Sequence, residues 1–257
     1  MDIFRKTDDP RAVAFEAAGL RWLAEAEAGA AVAEIVDESP GVLQTRRVRE
    51  TAATAAAAED FGRALARTHA AGAPHHGCPP PGFAGEGFMG RAPLPLRAEP
   101  PGSWGEFYAT DRVLPYLTAA RQNGSIDDDG ARTVERCAGR IDDGEFDAPQ
   151  PGLVTGVAAR LHGDLWSGNV LWSPETGGTL IDPAAQGGHA ESDLAQLSVF
   201  GAPHRERIVA AYHEVSPLEA GWADRVGLHQ LHMLIVHAAL FGGGYGAQTV
   251  SVAAQYA

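Results

Sequence analysis

The sequence predicts an α+β protein in two unequal parts, a small sheet with one helix over residues 1–50 and a mainly helical remainder over residues 51–257. Three observations carry this. Short β-prone runs and one amphipathic helix crowd the first fifty residues. Helical spacing dominates after Thr51. A single hairpin pattern near residue 170 interrupts the helices.

Taken in order, "DIFRK" reads as a strand and "DPRAVAFEAAGLRWLAEAEAG" as a helix. Asp9 stands at its cap, Pro10 in its first turn and Gly29 past its last turn, with Val13, Leu20 and Leu23 on one apolar face. "AEIVD" and "GVLQTRRV" then read as short strands around the turn "ESPG". "TAATAAAAEDFGRALARTHAAG" is helical by propensity, with Phe61, Leu65 and Thr68 or His69 on one face. Residues 72–102 are rich in Pro and Gly and predict a long irregular connection, packed down by Phe83, Phe88 and Trp104. Helices follow near 104–122 and 127–143. Nothing after Arg225 carries a formal charge, and "VGLHQLHMLIVHAALFGGGYG", with its three histidines and glycine cluster, reads as a buried core helix rather than a membrane span.

Composition narrows the function. Twenty basic against 33 acidic side chains leave a net charge of −13, which excludes a general nucleic-acid binder and a polybasic membrane-surface protein. Two cysteines, Cys78 and Cys137, make neither a disulfide framework nor a four-thiolate zinc site and fit a reducing compartment. The N-terminus is charged and has no apolar stretch of signal length, so a cytoplasmic protein is expected.

The chemistry concentrates in "LHGDLWSGNVLWSPETGGTLIDPAAQGGHAESDLA", residues 161–195. "NVLW" and "TLID" are β-prone runs joined by the turn "SPETGG", and an antiparallel hairpin sets Asn169 beside Asp182 at its open mouth. Asp164 lies on the loop feeding the first strand. Asn and Asp supply hard oxygen ligands suited to Mg²⁺, and Asp164 is left to accept a proton from a substrate hydroxyl. This is the base and metal set of kinase-type phosphoryl transfer. His162 reads as a scaffold holding the loop through a backbone hydrogen bond. Asp193, as a bare feature, is an N-cap or first-turn acid. Trp166 is either packing or a wall for a sugar. Lys6 is the only lysine; the other basic residues are arginine. Kinases set a strand lysine against nucleotide phosphates and clamp it with a glutamate on the next helix, here Glu16, although a surface lysine looks the same in sequence.

"LHGDLWSGNVLW", "LIDPA", "GHAESDLA", "FGRALARTHA" and "LHQLHMLIVHAALFGGGY" together resemble the fructosamine kinase (ketosamine 3-kinase) family, relatives of aminoglycoside and choline kinases, from about Ile3 to Tyr245. The resemblance implies a protein-kinase-like two-lobed fold. Its N-terminal nucleotide lobe is partial over residues 1–50, the first strands and Gly-rich loop being absent, and residues 51–257 form the catalytic and substrate lobe. It implies Asp164 as catalytic base, Asn169 and Asp182 as magnesium ligands, Asp193 as the acid bracing the loop, and Lys6 with Glu16 on the ATP phosphates. Trp166 and His237 fall at sugar-side positions; a satisfied core histidine on a buried helix is the other reading of His237. Arg46 and Arg47 stand in the hinge where the family tends to have an acidic residue and an apolar or aromatic one. The expected reaction is ATP- and Mg²⁺-dependent phosphorylation of a ketosamine hydroxyl, O3, free or protein-bound, in deglycation. An aminoglycoside or other small-molecule phosphotransferase, or a non-catalytic kinase-like protein, shares the same marks.

Overall fold

The computed structural model describes residues 2–257. Its first part holds β1 (Ile3–Thr7), α1 (Pro10–Ala24), β2 (Ala31–Val32), β3 (Ile35–Ser39) and β4 (Val42–Arg46). β1, β4 and β3 form an antiparallel sheet in that order. α1 begins where the Asp9 carboxylate accepts the Arg11 N–H at 2.8 Å and Pro10 gives up a donor that the first turn leaves unpaired anyway. Its buried Val13, Ala17 and Leu20 pack with Ala33 and Leu43. The helix stops at Ala24, a turn earlier than expected. Gly29 has a different duty from the predicted cap: a Cβ there would lie 2.7 Å from Thr68 Oγ1, so the glycine lets this turn press on the next helix.

That helix is α2 (Ala55–Ala70), capped by Thr54, and it buries Phe61, Leu65, Thr68 and His69 together. The connection over 72–102 is less irregular than its composition predicts. It contains a hairpin, β5 (Gly87–Met89) with β6 (Ala92–Leu94), turning at Gly90 and Arg91. Three-residue strands among prolines are too short to show alternation. Residues 104–122 are one helical run, as expected, in three pieces: α3 (Trp104–Phe107), a π-helical stretch (Tyr108–Val113) and α4 (Leu114–Gln122). Pro115 has no N–H to donate, and the Leu114 N–H reaches five residues back to Ala109. α5 (Asp128–Asp142) follows, capped by Asp127.

The site-bearing segment contains β7 (Ala159–Leu161), β8 (Val170–Ser173), β9 (Gly177–Leu180) and β10 (Gln186–Gly188). β8 and β9 make the expected hairpin, Val170 opposite Leu180, and β7 pairs with β10. β2 lies parallel to β9, with Ala31 opposite Thr179, so a strand from the first part extends the hairpin of the second. Four helices close the chain: α6 (Glu191–Val199), α7 (Arg205–Val215), α8 (Trp222–Phe241) and α9 (Gly244–Ala253). After its first turn α8 is the charge-free segment, and it is buried through Leu228, Leu231, Met233 and Ile235 against the 104–142 helices. No helix among the described residues is long and apolar enough to cross a membrane.

α6 is fixed to α8 by a buried ion pair. Arg225 grips Glu191 with two bonds, 2.9 and 2.6 Å, and His229 Nε2 stands 3.3 Å from the same carboxylate. Burial pulls Glu191 upward, but the bonds from His229 and Arg225 outweigh it and hold its pKa at about 2, below the ordinary 4.5. The folded value is the lower one, so the stabilisation is full above about pH 4.5 and is lost as pH falls through about 2. Its size is about 3 kcal/mol. Urea unfolding from pH 7 down to pH 2 is expected to show this loss in the wild type. Glu191→Gln should start about 3 kcal/mol lower at pH 7 and show a flatter acid limb.

Candidate active site

The loop between β7 and β8 carries His162, Asp164, Trp166 and Asn169. It is held from behind by α6. The fully buried Asp193 carboxylate accepts the N–H of His162 at 2.7 Å and of Gly163 at 3.0 Å. Asp193 lies in the first turn of α6, as its sequence context predicts, but its carboxylate is turned toward the loop. Gln196, one turn on, accepts the Leu165 N–H at 2.6 Å and donates to Gly163 O at 3.2 Å. His69 of α2 donates from Nε2 to Asp193 at 3.1 Å, and its Nδ1 then accepts from Tyr212 Oη at 2.9 Å. Neither Gln196 nor His69 emerged from sequence as a site residue. Gln196 had a signal, since i and i+3 share a helix face; His69 had only its place on an apolar face.

His162 behaves as the expected scaffold. Its Nδ1 accepts the Asp164 N–H at 3.2 Å and its Nε2 donates to Ile181 O at 2.8 Å, tying the loop to the residue after β9. Burial lowers its pKa despite Asp193 nearby, which keeps the ring neutral as these two bonds require.

The hairpin mouth forms as its register predicts. Asn169 O accepts the Ile181 N–H at 3.1 Å, which sets Asp182 one residue beyond, in a left-handed conformation with φ of 49°. Asp is among the few residues that tolerate this. Asn169 Nδ2 donates to Asp164 O at 2.8 Å and to Asp164 Oδ2 at 3.2 Å. Its Oδ1 is therefore the atom left for the cleft. Lys6 reaches across from β1, 2.7 Å from Glu16 and 3.2 Å from Asp182. Burial works against the charged amine, but Glu16 and Asp182 outweigh it and raise the Lys6 pKa above the ordinary lysine value. Burial also raises Asp164, to about 7, with Asp182 and Asp193 adding to the shift and the Asn169 bond opposing it.

Two cavities flank a cleft lined by Lys6, Asp164, Asn169 and Asp182. One, about 240 Å³, runs between the β1–β4–β3 sheet and the hairpin under the Arg46–Val48 segment, with Lys6 and Asp182 at its inner end. The other, about 590 Å³, opens on the far side of Asp164 and is walled by Trp166, Phe200, His237, Phe241 and Tyr245. Trp166 is 36% exposed and meets Phe200 edge-on at 5.8 Å. A Cβ on Gly168 would lie 2.1 Å from the indole, so only glycine lets the ring fold over its own loop. His237 Nδ1 donates to Met233 O of its own helix at 2.8 Å, while its ring joins the aromatic wall against Phe200 and Tyr245. All nine residues singled out in sequence thus lie on these cavities or directly behind the loop. Phe200, Tyr245 and Arg91, which line the larger cavity, were not foreseen.

A probable ketoamine kinase from Enterococcus faecium is 31% identical over 74% of this chain, and the match spans 63% of that protein's own length. The crystal structure of a fructosamine-3-kinase candidate from Thermobifida fusca superposes with a TM-score of 0.86 at 40% identity, over 99% of this chain and 85% of the other. The streptomycin–ATP complex of APH(2″)-IIa, 13% identical, shares the fold alone, with a TM-score of 0.61 over 98% of this chain and 84% of that one. The fold is therefore protein-kinase-like. The sequence profile of the fructosamine kinase family matches residues 6–256, and the chain belongs to that family.

Proposed function

We propose that the chain transfers the γ-phosphoryl group of ATP to a hydroxyl of a ketosamine, O3 by analogy with the fructosamine-3-kinase-like relative, and so takes part in deglycation. The observation that supports this best is the meeting of Asp164, Asn169, Asp182 and Lys6 in one cleft between two cavities of different character. In this reading residues 1–50 form the nucleotide-binding lobe and residues 51–257 the catalytic and substrate lobe.

The narrower cavity suits the nucleotide, with Lys6 neutralising its phosphates and Glu16 holding Lys6 in place. Mg²⁺ fits the donors present: Asn169 Oδ1 has no other partner among the described residues, and the Asp182 carboxylate is a second hard oxygen ligand. Held by these two residues, the ion would supply positive charge to offset that of the phosphates. Asp164 accepts the proton of the acceptor hydroxyl, and a carboxylate raised to about 7 is basic enough to do so near neutrality. Trp166 and His237 border the space for the sugar. His162 and Asp193 act as positioning residues.

Asp164→Asn keeps the shape of the loop but removes the base. Coupled-assay rates of ADP formation with a ribulosyl-amine acceptor are expected to fall at least a hundredfold, and a normal rate in this variant would overturn the assignment. Asp193→Asn replaces an acceptor of three bonds with an amide that also carries donors. Its kcat should fall about a hundredfold through displacement of Asp164, with KM for ATP changed less than threefold. Kanamycin offered beside the ribulosyl-amine separates this function from aminoglycoside phosphorylation.

A further inference from the structure

The tip of the β5–β6 hairpin places Arg91 where the acceptor cavity and the central cleft meet. Arg91 is exposed and makes no ion pair or hydrogen bond among the described residues, unlike Arg11 and Arg97, each held by two acids. The central cleft brings Asp8 with Glu16 and Asp182, the last two paired with Lys6, while the acceptor cavity has one acid, Asp164, which is engaged with Asn169. The rest of the wall is aromatic or aliphatic: Trp166, Phe200, Leu240, Phe241 and Tyr245, with the half-buried His237. Burial lowers the pKa of His237, so it adds no positive charge.

We infer that Arg91 forms an anion subsite at the acceptor end of the cleft, which takes the carboxylate of a ketosamine built on a free amino acid. The inference rests on the proposed phosphorylation of ketosamines and adds the class of amine. In such an adduct the carboxylate is attached to the carbon that bears the ketosamine nitrogen, a few bonds from the hydroxyl presented to Asp164. Arg91 and Asp164 line the same two spaces, so the molecule meets a cation and a base together. A guanidinium matches a carboxylate with two parallel bonds. The protein carries a net charge of −13 and repels anions in general. An unpaired arginine at this mouth gives an anion one local partner. The nucleotide phosphates have Lys6 on the other side of Asp164, whereas no carboxylate of the chain answers Arg91.

The test compares ribulosyl-glycine with ribulosyl-glycinamide, acceptors of one size that differ in carboxylate against carboxamide. The full chain is expected to show kcat/KM at least tenfold higher for the glycine adduct at low salt, the ratio shrinking as salt is raised. Arg91→Gln, at an exposed hairpin tip, should bring the ratio to within twofold of one. A wild-type ratio near one with both acceptors phosphorylated overturns the subsite and leaves the proposed function standing. A ratio that survives Arg91→Gln, with KM for ATP raised for both acceptors, overturns it too by placing the arginine on the nucleotide. If neither adduct is phosphorylated, the proposed function fails and the subsite with it.

Discussion

The buried carboxylate of Asp193 is the fixed point of this molecule. A carboxylate with no exposure to water costs several kcal/mol unless donors surround it, and here two backbone N–H groups and one imidazole do so. Because those donors belong to His162, Gly163 and His69, the same bonds that satisfy the acid also fix the loop bearing Asp164. α6, which carries the acid, is tied through Glu191 to α8, and His69 extends the tie to α2 and on to Tyr212 in α7. A loop that would otherwise be mobile is thereby referred to four helices.

The front of the site is set by the hairpin and by what crosses to it. Asp182 is turned outward by a left-handed backbone and meets Lys6 from the opposite sheet. β2, although two residues long, hydrogen-bonds along β9 and fastens the first part of the chain to the β8–β9 hairpin. Lys6 and Asp182 therefore meet beside a hairpin tied to both parts of the chain, and Phe61 of α2 supports that hairpin, edge-on to Trp172 at 5.7 Å.

The residues that act together were legible wherever they lie close in sequence. The turn "SPETGG" fixes the hairpin register, and the register places Asn169 next to Asp182 without any tertiary knowledge. α2, α5 and the buried α8 were readable for the same reason, since caps and 3.6-residue spacing are local. What escaped depends on long-range contact. The His69–Asp193 bond spans 124 residues, and nothing in "RTHA" distinguishes an anchor from an ordinary core histidine. β2 is too short to show alternation and takes its identity from β9. The β5–β6 hairpin hides among prolines that are stronger signals for loops than three-residue strands are for sheet. Gly29 misled for a physical reason: the same lack of a side chain that ends helices also permits close approach to Thr68.

The lone lysine has a further consequence. Reducing sugars condense with amines only when the nitrogen lone pair is free, and the single side-chain amine of this protein is kept protonated between two carboxylates. Its other cationic side chains are guanidinium groups, far weaker nucleophiles at neutral pH. A protein proposed to repair sugar damage on amines thus offers aldoses almost no amine side chain of its own to damage.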